Sequence, residues 1–581
     1  MAEAGLDAAE NGEDEEAIAR LGDAATRFGQ VSDAFGTPWM RAARAVPVVG
    51  QHVEALEVVT AEGRRLAELA SDAVREADID SLAFEEGVLD LDRVAAVEPP
   101  LARSAAGLVE ADAAIQGATT SWLVDPVRSR VDDFGGQVGD AAEDADVALD
   151  AVRAAPGLFG GRGERRYLLL FTTPAQARGL GGFIGSYGEL TAIDGDVELT
   201  RSGRLRAELG PPFGEEAYRI SGPEDYLERW GRFDPGESVQ DTTFSPDFPT
   251  VGGIWEELYP QAPGGGALDG VIMVDPFGLA GLLELTGPIE VPGRAEPLTA
   301  DNAAAFLLRE QYADFQEDRA ERVDFLEDAS RITFEQLTTG DLPGPKTAID
   351  ALAPLVRGGH LAVHGVDDRE RALFERTGLD GAFPEVRGDF ASLTAQNSGN
   401  SKIDAYVRRR IDYEVVVDPE AGLVDATVTI ELANDAPPDG LPDVVLENRL
   451  AGRPEGTSSS LLSWYTPLEL ESITVDGEAS SAARERELDR NVFSRLVDVA
   501  PMGTTTVVLE LRGTHVDGDR YLLDLARQPT VNVDDLRVTI RGADGWRVAR
   551  ATGADVDAGV ATLAGPFAED LAVDAELERD G

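Results

Sequence analysis

The chain has 581 residues, 43% of them hydrophobic, with 51 Lys plus Arg against 108 Asp plus Glu, a formal net charge of −57. Nucleic-acid phosphates and anionic headgroups both call for basic surfaces, so this field argues against DNA, RNA or acidic lipid as partners. Cysteine is absent, which excludes disulfides, thiolate metal sites and a cysteine nucleophile, and no stretch approaches the roughly 20 apolar residues of a membrane span.

The length suggests about three domains, each large enough for a core. Residues 1–14 read as a disordered acidic start, since Glu3 to Glu16 is a run of acids without a base. Residues 15–158 read as helical. Val127, Val131, Phe134, Val138, Ala142, Ala145, Leu149 and Val152 recur at steps of three or four, a narrow heptad-type seam. Leu21 to Phe35 and Leu56 to Ala77 repeat the signal. Thr37-Pro38 before Trp39 reads as a helix start, Pro47 as a break, and Pro99-Pro100 as a kink or stop. The pattern predicts three or four long antiparallel helices, a bundle or stalk that spans about 40 Å at 1.5 Å per residue.

Residues 164–400 alternate between strand and helix patterns. Tyr167 to Phe171 is an apolar run of strand length, suited to a strand covered on both faces. Val271 to Val274 reads as a strand, Asp275-Pro276 as cap and first helical residue, Phe277 to Leu285 as helix, Gly287-Pro288 as stop and Ile289 to Val291 as strand. Asp301 to Tyr312 and Asp318 to Leu337 read as helices, and His360 to His364 as a further strand. This predicts an α/β domain with a mixed sheet. From Asp404 to residue 581 helices nearly vanish; short strands such as Tyr413–Val417, Val424–Leu432, Thr504–Leu511 and Leu536–Arg541, with Asp-Gly turns between them, predict an all-β sandwich.

Candidate chemistry is sparse, and no P-loop, His-Glu-x-x-His or Gly-x-Ser-x-Gly motif occurs. The densest unusual segment runs from Arg178 to Gly188, with Gly181, Gly182 and Gly185 able to bring backbone amides close to an anion and Arg178 able to add a bidentate fork. A glycine-rich bend between strands explains the same residues. Asp247, in Ser245-Pro246-Asp247-Phe248-Pro249-Thr250, suits a metal ion or a helix cap. Arg309, Arg319 and Arg322 suit a pyrophosphate clamp, or a solvated face paired with intervening acids. Asn397, Asn400 and Lys402 lie in a polar segment, and Lys402 is one of two lysines in a chain that otherwise uses arginine. His360 and His364, four apart on a strand, share a face without the spacing of a metal site.

Taken together, Arg165–Phe171, Gly181–Gly188, Ser245–Pro249, Asp269–Ile272 with Val274-Asp275-Pro276, Thr286-Gly287-Pro288 and Asn397–Asp404 closely resemble a bacterial family filed as domain of unknown function 4012 (DUF4012), common in actinobacteria. The likeness extends to Pro47–Gly50 and Gln528–Val531. It implies an extracytoplasmic envelope protein held to the cell membrane by a helix upstream of Met1. The α/β part is similar, more distantly, to the LytR-CpsA-Psr (LCP) family, which transfers glycopolymers from a polyprenyl-pyrophosphate carrier to the cell wall. That resemblance implies an anionic-lipid site in which Arg178, Arg319 and Arg322 neutralise pyrophosphate, with Mg held by Asp247. Gly181, Gly182, Gly185, Arg309, Asn397, Asn400 and Lys402 would complete it. The family's acidic segment after the first strand is replaced here by the glycine cluster. The leading expectation is therefore a membrane-anchored glycan-carrier binder and possible glycopolymer phosphotransferase. The alternative is a non-catalytic surface protein that organises or recognises polymers through a degenerate LCP-like core.

Overall fold

The computed structural model describes the chain except residues 1–3, 5–7, 9–13, 36, 38–39, 41–43, 45, 47–48, 77–81, 213, 315–318, 341, 515–517 and 581, and except the side chains at 14, 313, 319–324 and 326–327. The acidic start and the turn residues Pro38, Trp39 and Pro47 thus lie almost wholly outside the described residues. The chain divides into two compact units, one of residues 1–165, 192–198 and 338–349, the other of residues 166–191, 199–337 and 350–581.

The first unit is built on four long helices, α1 (Asp14–Phe35), α2 (Val49–Glu76), α3 (Leu91–Ala118) and α4 (Asp125–Leu158). Each packs on the next in sequence. The heptad seam is the cause: Val131 and Val138 of α4 are buried with Ala111 and Ile115 of α3 and Ala55 of α2. Asp90 starts α3 by accepting from the amides of Asp92 and Arg93 at 3.0 and 3.1 Å. Pro99-Pro100 neither stops nor ends a helix, since both lie inside α3. Their missing donors cost hydrogen bonds, and burial of Pro100 together with Val94 and Val97 offsets that loss.

The second unit contains most of a mixed sheet and two further sheets. In the mixed sheet, β1 (Arg165–Arg178) lies between β2 (Gly181–Ile193) and β4 (Gly270–Val274), with β3 (Asp196–Arg204) beyond β2 and β5 (Leu361–Gly365) beyond β4. β1 and β4 are parallel, β4 and β5 antiparallel. The apolar run of β1 is covered on both faces: Leu168 and Leu170 join a core with Trp255 and Tyr259, while Leu169 joins one with Leu279 and Phe306. Helices α5 (Glu224–Trp230), α6 (Phe248–Leu258), α7 (Pro276–Thr286) and α8 (Arg319–Thr339) accompany the sheet. Asp275 caps α7 as its sequence predicts, accepting from Phe277 and Gly278 amides at 2.8 and 2.9 Å. Ile289–Val291 makes no strand; Ile289 forms a single bridge to Leu298, because Pro288 and Pro292 remove ladder donors on either side.

The strand-rich C-terminal region begins at β6 (Asp389–Asn397), earlier than Asp404. β7 (Val407–Asp418), β8 (Leu423–Asn434), β9 (Ser458–Thr466), β10 (Glu469–Val475), β11 (Ala483–Glu487), β12 (Arg490–Val499) and β13 (Gly503–Gly513) follow. Then come β14 (Arg520–Ala526), β15 (Asp534–Gly542), β16 (Trp546–Thr552), β17 (Val560–Phe567) and β18 (Leu571–Arg579). One sheet runs β10-β13-β8-β7-β15-β17 with a short strand at each edge, the other β11-β12-β9-β6-β14-β18-β16. Two parallel pairs, β6 with β14 and β7 with β15, sit at the middle. Residues of both sheets share one core, including Tyr413, Val538, Trp464 and Leu523.

Two buried polar clusters brace this unit. Asp389 is fully buried, and its Oδ2 accepts from Tyr413 and Tyr521 hydroxyls at 2.6 Å each. Arg229 of α5, 2% exposed, donates to Ser463 at 2.7 Å, Ser494 at 3.1 Å and Glu485 at 3.2 Å, and also to Glu487 and Tyr465. Trp230 Nε1 donates to the same Glu487 at 2.8 Å. This ties α5 to β9, β11 and β12. Hydrogen bonds to a buried carboxylate contribute about 1.5–3 kcal/mol each, so Tyr521→Phe is expected to lower unfolding free energy by that amount, measured by urea denaturation.

Candidate functional site

The glycine cluster is a β-hairpin, not an open phosphate loop. β1 ends at Arg178, Gly179-Leu180 form the turn, and β2 starts at Gly181. Packing explains three of the glycines. A Cβ on Gly179 would stand 2.2 Å from Phe244 O, and one on Gly182 would stand 2.0 Å from Thr173 O. Gly181 has φ +90°, a conformation that favours glycine, and faces Pro529. The hairpin is further pinned where Leu180 N–H donates to Thr243 O at 3.2 Å and Thr243 Oγ1 donates to Gly182 O at 2.8 Å.

Arg178 is 5% exposed, and its fork is committed. Nε and Nη2 donate to Asp241 Oδ1 at 2.9 and 2.7 Å, and Nη1 donates to the carbonyls of Ala177 and Asn397 at 2.8 and 3.0 Å. The guanidinium lies 5.3 Å from the centre of the Phe244 ring. Around it close the loops that follow the parallel strands β6 and β14. From the first, Asn400 accepts from Gln176 Nε2 at 2.8 Å, Lys402 Nζ donates to Gln176 Oε1 at 3.1 Å, and Asp404 accepts from Ala177 N–H at 2.8 Å and from Asn397 Nδ2 at 2.6 Å. Lys402 Nζ also sits 3.8 Å over the Phe183 ring. From the second, Gln528 Nε2 donates to Arg178 O at 2.6 Å and Ala395 O at 2.9 Å. Its Oε1 accepts from Ala395 N–H and from Arg409, which pairs with Asp534.

The fold thus gathers Arg178, Gly181, Gly182, Asn397, Asn400 and Lys402 into one polar clasp. Arg309 borders it, donating to Asn532 Oδ1 at 2.7 Å and to Ala405 O. Asp247 stands apart as the cap of α6: Oδ2 accepts from Thr250 N–H and Oγ1 at 2.9 and 2.7 Å, and Oδ1 from Phe383 N–H at 2.9 Å. Both its oxygens are committed, and no group of three His, Asp or Glu that could hold a metal occurs among the described residues. The set therefore does not form a Mg cradle around Asp247. Arg319 and Arg322 open α8, and their side chains lie outside the described residues. Gly185 is exposed on β2, beside Phe183. His360 and His364 hold separate carboxylates, Asp275 at 2.7 Å and Glu256 at 2.6 Å.

Residue-type reasoning misses Asp241, Gln176, Asp404 and Gln528 as the partners that fix these groups. Asp241 lies 63 positions from Arg178 and Gln528 lies 350 away, so no local pattern signals them. Removal from water pushes the Asp404 carboxyl above its ordinary range, against the opposing pull of the Ala177 and Asn397 hydrogen bonds and of Arg178 and Arg409.

Comparison with known proteins gives a family match over part of the chain. The model of the family described as protein of unknown function (DUF4012) matches residues 162–312, which include β1, the hairpin, Asp241 and Asp247. No curated protein matches the chain. Among solved structures, a putative nutrient binding protein from Legionella pneumophila is similar at 9% identity over 33% of this chain and 71% of that one, with a TM-score of 0.22. An M1 zinc metallopeptidase from Deinococcus radiodurans, in a mutant form bound to a Tyr-Ser-Ala substrate, is similar at 12% identity over 33% of this chain and 44% of that one, with a TM-score of 0.18. Likenesses this slight carry no argument about fold or activity.

Two outcomes follow from the clasp. Removing one partner of a buried ion pair costs about 3–5 kcal/mol, so Arg178→Met is expected to lower the unfolding free energy by that order, measured by denaturant titration. The raised Asp404 carboxyl favours its neutral form in the folded state, so its contribution is fully present below the unfolded value and is lost as pH rises through the folded one. Asp404→Asn, which keeps an acceptor for Ala177 N–H, should melt above the parent at pH ~8 and converge with it toward pH ~4. A gap that is constant with pH would contradict this.

Proposed function

We propose that the chain is a non-catalytic envelope protein that organises or recognises a surface polymer, its α/β region being a degenerate LCP-like core backed by a β-sandwich. One observation carries the reading: the arginine that a carrier-binding site needs is satisfied by Asp241 and two carbonyls inside a buried clasp. A guanidinium so placed gains nothing from a pyrophosphate that would have to displace four protein hydrogen bonds. The same clasp makes the α/β and β regions a stiff body, which suits presentation of a fixed surface. An extracytoplasmic location at the membrane is part of the same proposal, suggested by the resemblance of residues 162–312 to the DUF4012 family.

The competing reading is transfer of a polyprenyl-pyrophosphate-linked glycan to the cell wall with Mg. Incubation of the purified chain with undecaprenyl pyrophosphate and Mg, followed by mass spectrometry and a thermal-shift assay, separates the two. The proposal expects no co-purified lipid, no turnover and no shift in melting. Turnover of the lipid by the parent chain would replace it with the transferase reading.

A further inference from the structure

Trp122, in the turn between α3 and α4, is 65% exposed, although a large apolar side chain left in water forgoes the roughly 1.5–3 kcal/mol that its burial brings. The turn holds it there on a pinned backbone. Arg128 Nη2 donates to the carbonyls of Ser121 and Leu123, one on either side, at 2.7 and 2.8 Å. Leu123 is buried in the helical core, and Val124 N–H donates to His52 Nε2 of α2 at 2.9 Å. Among the described residues no ring stacks on the Trp122 indole and no acceptor takes its N–H. Val46, Val49 and Val124 are half-exposed as well.

Trp122 lines an open groove of about 520 Å³, together with Val46 and a row of polar side chains on α2. Gln51, Glu54 and Glu57 stand at steps of three, so they share one side of the helix over about 9 Å at 1.5 Å per residue. Glu57 is paired with Arg44. Glu54 has no hydrogen bond or ion pair among the described residues, and Gln51 Oε1 has no hydrogen-bond partner. A rigid aromatic face beside a row of carboxylate and amide groups matches a ring that is apolar on its C–H faces and carries hydroxyls around its edge, which is the chemistry of a sugar. An anionic ligand is disfavoured, because the guanidinium in the groove is taken by Glu57 and Glu54 adds negative charge in a chain of net charge −57. A cationic ligand would find one uncommitted carboxylate, since Arg44 neutralises the other.

We propose that this groove binds a neutral glycan segment, one sugar ring lying on the Trp122 face and adjoining hydroxyls hydrogen-bonded by the row on α2. This rests on the polymer-recognition reading and names the class of polymer.

The test is isothermal titration calorimetry of the full chain with maltohexaose, cellohexaose, mannohexaose and N-acetylchitohexaose, and with trilysine and sodium tripolyphosphate as charged probes. Trp122→Ala, Trp122→Phe and Glu54→Leu are titrated alongside, with melting temperatures recorded. We expect at least one hexasaccharide to bind and neither charged probe to do so. Trp122→Ala should weaken that binding at least about tenfold, as truncation of a tryptophan anchor does. Trp122→Phe, which keeps a ring, should weaken it less, and Glu54→Leu should weaken it too. All three should melt as the parent does, because both side chains are exposed. The groove is ruled out as a glycan site if no hexasaccharide binds, if Trp122→Ala binds as the parent does, or if a charged probe binds more tightly than every hexasaccharide. Trilysine binding that Glu54→Leu removes would assign it to a cationic ligand instead. Lipid turnover with intact glycan binding would overturn the non-catalytic reading while leaving the groove standing, and absence of both would remove the groove while leaving that reading.

Discussion

The structure depends on one buried ion pair and what surrounds it. Arg178 reaches Asp241 at 2.7 Å and the Asn397 carbonyl at 3.0 Å with 5% of its surface exposed. Charges so placed cost desolvation free energy, and they persist where every donor and acceptor is matched. Here the matching groups come from β1, the turn before α6, and the loops after β6 and β14. The pair therefore joins the end of β1 to the end of β6. Arg229 with Glu487, Tyr465 and the two serines repeats the device at α5. Two arginine-centred clusters of this kind make one unit out of what composition alone divides into two.

That coupling also accounts for residue types that would otherwise be puzzling. Strand β6 buries Ser392, Thr394 and Gln396 at 2%, 0% and 3% exposure, because protein covers both of its faces. Gln396 Nε2 donates to Phe244 O at 2.7 Å, so one of these polar side chains is part of the seam and not a solvated edge. Lys402 follows the same logic: its ammonium is directed at Gln176 and the Phe183 face.

Much of the fold is legible in the sequence. The four helices follow from a seam that repeats at three and four, and the Asp275-Pro276 start of α7 from cap chemistry that is local to a few residues. What is not legible depends on residues far away in the chain. Pro99-Pro100 reads as a kink or stop because the buried environment that offsets two lost hydrogen bonds is not written locally. The glycines at 179, 181 and 182 read as a phosphate cradle because the atoms that require them, Phe244 O, Pro529 and Thr173 O, are tertiary neighbours. The polar segment from Asn397 to Asp404 is unusual in composition, but nothing local points to its partners Ala177 and Gln176. Gly185 reads like its neighbours in sequence, yet a Cβ there would meet no backbone atom, unlike one at Gly179 or Gly182.

The account stands on the hairpin from Gln176 to Gly182 being a plug in a closed clasp and not a ligand-binding loop. Native-state hydrogen exchange of its amides, with and without undecaprenyl pyrophosphate and Mg, reads this directly. The account predicts that Ala177 and Leu180 amides, which donate to Asp404 and Thr243, exchange as slowly as the β-core amides and are unaffected by the lipid. Fast exchange that the lipid slows would contradict it.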